Sequence, residues 1–93
     1  MPFSERRELR WAYLGQVAYP RAERLQAALR DRVRRDREAD YLVLLEHPHV
    51  FTLGRNAERA DILADDAWLQ DHQTAVFDCD RGGRVTYHGP GQL

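Results

Sequence analysis

Lysine is missing from this chain: all 14 basic residues are arginine, set against 15 acidic ones for a net charge of −1. Without a basic excess the chain lacks the electrostatic footprint of a nucleic-acid binder or of a protein held on an anionic membrane. The arginine-only usage reads as GC-rich coding bias rather than as function. Cysteine occurs once, at Cys79, which excludes an internal disulfide framework and fits a reducing compartment. No apolar run approaches the ~20 residues that a bilayer-spanning helix needs. The opening residues, Met1-Pro2-Phe3-Ser4-Glu5-Arg6-Arg7, lead into no apolar stretch of the kind that marks a secretory signal. Neither a Walker sequence nor a glycine fingerprint opening a helix is present. Internal repeats, low-complexity tracts and linkers are absent too. The expectation is a soluble, cytoplasmic protein without membrane or nucleic-acid partners.

What is present is ordinary for a globular chain. With 93 residues, 43% hydrophobic and 31% charged, it makes one domain at most and a modest core. Residues 9–14 carry Trp11 and Tyr13 and stop at Gly15, as a first strand would. Pro20 suits the first residue of a helix. From there Ala22, Leu25, Ala28, Leu29 and Val33 recur at three- and four-residue steps, predicting an amphipathic helix to about Arg37. The arginines on that helix are interleaved with Glu23, Asp31, Asp36 and Glu38, so a solvated mixed-charge face is the better reading than a nucleic-acid patch.

Tyr41-Leu42-Val43-Leu44-Leu45 is an unbroken apolar run of strand length, expected to be buried on both faces. Glu46-His47-Pro48-His49 breaks it, and residues 50–53 resume extended structure up to Gly54. Residues 55–61 read as loop. Asp65 or Asp66 can cap a short helix carrying Ala67, Trp68 and Leu69. Residues 74–78 read as another strand, and residues 84–88 as the last. The order of elements predicts a mixed α/β or α+β sheet with helices packed on it.

Chemistry concentrates at the end, in Arg81-Gly82-Gly83-Arg84-Val85-Thr86-Tyr87-His88-Gly89-Pro90-Gly91-Gln92-Leu93. A glycine pair lets main chain come close to a ligand, arginine brings a rigid fork of donors, and histidine moves protons near neutral pH. A plain hairpin turn would account for one glycine pair. A second turn, Gly89-Pro90-Gly91, and the polar residues between favour a substrate-binding wall. Amides around Gly82 and Gly83 could polarise a carbonyl, with Thr86, Tyr87 and His88 shaping the pocket. His47 and His49, with Cys79 and His88, are conceivable zinc ligands, but the spacing is unlike that of closed zinc sites and Pro48 makes a turn, so no metal is assigned. Cys79 is expected mid-strand between Asp78 and Asp80, whose charges oppose a thiolate, so it reads as a small core residue rather than a nucleophile.

These stretches together resemble the lipoyl(octanoyl) transferases, the octanoyl-[acyl-carrier-protein]:protein N-octanoyltransferases of lipoate biosynthesis. Leu14-Gly15 with Tyr19 and Leu25-Gln26 looks like the family's first strand and helix. Leu44-Leu45-Glu46-His47-Pro48-His49-Val50-Phe51-Thr52-Leu53-Gly54-Arg55 looks like its second signature, and residues 81–93 are similar to its most characteristic motif. The resemblance implies the α/β fold of the biotin and lipoate protein ligases. It also implies transfer of an octanoyl group from octanoyl-acyl carrier protein to a lysine on the lipoyl domains of 2-oxoacid dehydrogenases and the glycine-cleavage H protein. Arg81, Gly82, Gly83, Arg84, Val85, Thr86, Tyr87 and His88 correspond to the substrate-binding segment, and no cofactor is implied. The ligase relatives bind ATP, but the Thr-Tyr-His-Gly-Pro-Gly-Gln form of the loop favours the transferase.

In that family a cysteine carries the acyl group as a thioester and a lysine activates it, both beyond the Gly-Pro-Gly-Gln motif. Cys79 lies before that motif and matches neither position, so no residue of this chain is assigned a catalytic role. Residues 1–93 are therefore expected to be the N-terminal part of a single octanoyltransferase domain, truncated and inactive alone. The alternative is a non-catalytic acyl- or protein-binding fragment.

Overall fold

The computed structural model describes residues 8–93; the reading of residues 1–7 as no secretory signal falls outside them. The chain divides into two units, residues 1–45 and 46–93.

The first unit holds β1 (Glu8–Gln16), α1 (Tyr19–Asp36) and nearly all of β2 (Ala39–Glu46), with β1 and β2 paired in a two-stranded sheet. Pro20 stands in the first turn of α1, where its missing N–H leaves no bond unmade. The helix ends at Arg37, which adopts φ 53° and gives its N–H to the Val33 carbonyl at 3.1 Å, a left-handed stop. Arg34 and Arg35 lie in the last turn, where the helix dipole favours cations. Ala22, Leu25, Leu29 and Val33 are half-buried as their spacing predicts, but Ala28 is exposed. One residue before Leu29, it stands about 100° round the helix from that stripe.

The burial expected for the run at residues 41–45 is overturned. Ala39 is the one fully buried residue of β2, Leu42 is 47% exposed, and Tyr41, Val43, Leu44 and Leu45 are half-buried. A strand is sealed on both faces only where both are covered, and among its described residues this unit supplies a single helix.

The second unit is a three-stranded sheet in the order β4-β3-β5, with β3 (Val50–Leu53) central, β4 (Ala75–Asp78) parallel to it and β5 (Val85–His88) antiparallel. A parallel pair needs a long crossover, and residues 54–74 provide it. They contain a 3₁₀ turn at Arg59–Asp61, inside a stretch read as loop, and the short helix α2 (Asp66–Asp71). Asp65 rather than Asp66 caps α2, accepting the Trp68 N–H at 2.8 Å. Val50, Ile62 and Leu69 form the buried apolar core of this unit, with Thr52 buried beside them.

The strand order decides what the glycine pair is. β4 and β5 flank β3 instead of pairing with each other, so residues 79–84 are no hairpin turn. They carry the chain over the end of β3. The architecture is mixed α/β, as the sequence predicts, with its strands in two sheets.

Candidate functional site

Side chains alternate along β5, so residues 81–88 do not all reach one place. Register pairs Val50 with His88 and Thr52 with Thr86, and on the other face Phe51 with Tyr87 and Leu53 with Val85. Directly paired residues share a face and neighbours in sequence do not. Thr86 and His88 therefore stand with Val50 and Thr52, while Val85 and Tyr87 stand with Phe51 and Leu53.

Arg81 turns inward. Its Nη2 donates to the Thr52 carbonyl and hydroxyl, each at 2.9 Å, and to the Arg84 carbonyl at 3.3 Å, while Nη1 donates to the Gly82 carbonyl at 2.9 Å. The fork that suits an anionic ligand is here fitted to main chain. Backbone bonds complete the crossover: Gly54 N–H to Arg84 O at 2.7 Å, Arg55 N–H to Arg81 O at 2.9 Å and Asn56 N–H to Gly83 O at 3.1 Å. Gly83 takes φ +89°, a conformation that favours glycine. Of the doublet's carbonyls, Gly83 accepts the Asn56 amide and Gly82 accepts Arg81 Nη1.

Arg84 is also engaged. Its Nε reaches Asp61 Oδ2 at 3.1 Å and its Nη2 meets Asp61 Oδ1, while Asp61 Oδ2 accepts the Glu58 N–H at 3.0 Å. The arginine bonds hold the Asp61 carboxyl below the usual carboxylate range, helped by the Glu58 amide. This bidentate pair ties the 3₁₀ turn to the start of β5.

His88 ends β5 half-buried, and the His47 ring stands against it edge to face, centroids 5.7 Å apart at 72°. Burial pushes the His88 imidazole below its ordinary value of 6.5, and the charges of His47 and Arg81 push the same way. At neutral pH it is an uncharged ring with one donor and one acceptor nitrogen. The turn that follows is tied down by Glu46, whose Oε1 accepts the Gly91 N–H. Glu46 and Thr52 escaped the sequence reading as parts of this arrangement, and His47 entered it only among zinc ligands that were set aside. Their common signal was position: each lies in the stretch 44–55, one of the three that carried the resemblance.

The two histidines flanking Pro48 part company. His47 meets His88, whereas His49 Nδ1 is hydrogen-bonded to the Tyr87 hydroxyl, with the rings stacked at 6.0 Å. Consecutive residues of β5 receive them on opposite faces. Tyr87 lines a groove of about 330 Å³ with His49, Phe51, Trp68, His72 and Thr74. Cys79 lies one residue beyond β4 rather than within a strand, half-buried, with its N–H and thiol both directed at the Leu53 carbonyl, 2.9 and 3.5 Å away.

Comparison with known proteins bears on what this arrangement is for. Residues 18–93 match the family model of the lipoyl protein ligase A/B catalytic domain. The chain belongs to that family. Octanoyltransferases are among its relatives: one from Solibacter usitatus is 49% identical over 80 residues, covering 86% of this chain and 36% of the relative. Another, from Acidobacterium capsulatum, is 46% identical over 81 residues, covering 87% and 33%. A third, from Alkaliphilus metalliredigens, is 44% identical over 80 residues, covering 86% and 37%. The chain spans about a third of the length of these curated relatives. The fold class and the acyltransferase family expected from the sequence are thereby shown. Among the described residues, no helix is long and apolar enough to cross a membrane.

The lipoyl ligase-family segment carries a pH signature that follows from His88. Its folded value lies below the 6.5 of the free side chain, so between the two the unfolded chain binds more protons. Stability then rises with pH through that window and is lost as pH falls below the ordinary value. His88→Asn should flatten the slope of urea midpoints between about pH 7 and about pH 5.5, the range in which histidine titrates. The Asp61 contribution is present above 3.8 and lost further down, so the two effects separate. An unchanged slope in His88→Asn would assign the acid sensitivity elsewhere.

Proposed function

We propose that this chain supplies the acyl-binding segment of an octanoyltransferase, as the N-terminal part of its single catalytic domain. The reaction is transfer of an octanoyl group from octanoyl-acyl carrier protein to a lysine on the lipoyl domains of 2-oxoacid dehydrogenases and the glycine-cleavage H protein. It proceeds through a cysteine thioester and belongs to protein lipoylation and lipoate biosynthesis, a cytoplasmic process needing neither metal nor nucleotide. The observation that carries the reading is the glycine crossover over one end of β3, with the edge-to-face pair of His47 and His88 at the strand's other end, on a chain whose relatives bear the name octanoyltransferase.

In this reading the crossover brings main chain against the acyl thioester because Gly82 and Gly83 carry no side chain to hold it off. Their N–H groups are the donors available to a thioester carbonyl, an arrangement that stabilises charge developing on oxygen. Neutral His88 holds or passes a proton at one ring nitrogen, and Thr86 stands beside it on the same face of β5. Arg84 and Val85 shape the segment by fixing its start. The sequence contains no lysine, and the Cys79 thiol is directed at a carbonyl, so no residue of these 93 takes the role of nucleophile or activating base. That placement favours, as a second reading, a segment that holds the acyl group without turning it over.

Titrating octanoyl-pantetheine into the labelled 93-residue chain tests the assignment. Amide shifts should concentrate at Gly82, Gly83 and His88, and incubation with octanoyl-acyl carrier protein and a lipoyl domain should give no acylated lysine. Shifts confined to the groove around Trp68 would overturn the site, and acyl transfer by the chain itself would overturn its lack of a nucleophile.

A further inference from the structure

We propose that Thr52 is a positioning residue: its hydroxyl and carbonyl lock the Arg81 guanidinium against β3, so that Arg81 serves the site as a fixed charge near His88 and not as a grip on substrate. This rests on the reading of His88 as a site residue. Thr52 is 1% exposed in the centre of the central strand, a place where an apolar residue would ordinarily stand. A buried hydroxyl costs stability unless it is bonded, and this one accepts Arg81 Nη2 at 2.9 Å. The same nitrogen reaches the Thr52 carbonyl at 2.9 Å and the Arg84 carbonyl at 3.3 Å, and Nη1 reaches the Gly82 carbonyl at 2.9 Å. Both terminal nitrogens of the fork are thus directed at the protein's own oxygens.

The consequence reaches His88 through charge. Thr52 and Thr86 are register partners, and His88 stands two residues along β5 on the same face. A guanidinium cannot lose its proton in a protein, so a locked Arg81 is a permanent positive neighbour. Burial disfavours imidazolium at His88 most, then the charge of His47, and the locked Arg81 adds to both. Among the described residues, those are the charged groups acting on that ring, from the crossover and from the turn after β2. A neutral His88 is what proton transfer at neutral pH requires.

Ring-proton titration of His88, assigned with His88→Asn, tests the lock in the unliganded chain. Thr52→Val deletes the hydroxyl at similar volume and should move the His88 midpoint upward, with faster exchange of the Arg81 guanidinium protons. Thr52→Ser restores the hydroxyl and should return both to wild type. Should Thr52→Val fail to fold, Thr52→Cys replaces it, since a thiol is a weak hydrogen-bond partner. A folded Val or Cys variant with the wild-type His88 midpoint overturns the proposal. Octanoyl-pantetheine added to the same samples keeps the two ideas apart. A shifted midpoint without acyl binding at residues 81–88 sinks the proposed function alone, and acyl binding with an unshifted midpoint sinks the lock alone.

Discussion

Gly54→Ala should lower the thermal midpoint of this chain by roughly 10 °C, from an overpacking cost of about 2 kcal/mol at about 4–8 °C per kcal/mol for a domain of this size. The cause is geometric. A methyl group on Gly54 would lie 2.6 Å from the Gly83 carbonyl oxygen, and 2.9 Å from both the Gly82 carbonyl oxygen and Arg81 Nη1. Two of those three obstacles are backbone, so relief requires the crossover itself to lift off the end of β3. Lifting it would stretch the Gly54 and Asn56 amide bonds to residues 83 and 84. The control is Gly82→Ala, where the nearest atom is the mobile Arg55 Nη2 at 3.9 Å and the midpoint should barely change. Circular dichroism melts of the two variants decide the matter. A Gly54→Ala chain that melts with wild type would mean that the crossover does not need the bare main chain beneath it.

The same glycine shows where sequence reading reached and where it stopped. Gly54 was legible as the end of a strand, because a strand-length run stops there. That its missing side chain makes room for Gly82 and Gly83 was not legible, since it depends on β5 pairing with β3 instead of β4, a non-local choice that periodicity does not encode. Local features came through: the stripe of Leu25, Leu29 and Val33, the helix end near Arg37, and a cap at Asp65 or Asp66 are all fixed by residues within a turn or two. The failures share one physical origin. Burial of Tyr41-Leu42-Val43-Leu44-Leu45 depends on what covers β2, and the apolar run alone does not report its cover. The meeting of His47 with His88 needs two strands side by side before the rings can touch. Family membership was readable because motif order survives without knowledge of strand order.

Arg81→Ala should cost more than any other arginine replacement in the second unit. Arg81 makes four hydrogen bonds to acceptors on three residues, one of them the buried Thr52. Removing the guanidinium leaves the Thr52 hydroxyl without that donor, and stranding a buried polar group costs about 1–3 kcal/mol before the loosened crossover is counted. Arg84→Ala breaks a bidentate pair with Asp61, but Arg84 is 64% exposed, and ion pairs in solvent contribute little. Arg81→Lys should recover only part of the loss: an ammonium is a single point of donation, and it cannot reach in-plane to the three carbonyls that the fork spans. Urea midpoints should therefore fall in the order wild type, Arg84→Ala, Arg81→Lys, Arg81→Ala. The alanine variant should also move His88 part of the way toward its ordinary titration range by removing a positive neighbour, with burial and His47 still holding it down, while the lysine variant, still charged, should move it less. If Arg81→Ala unfolds at the wild-type urea concentration, the inward fork contributes nothing to the fold. A ligand-facing role for this arginine would then be the one to pursue.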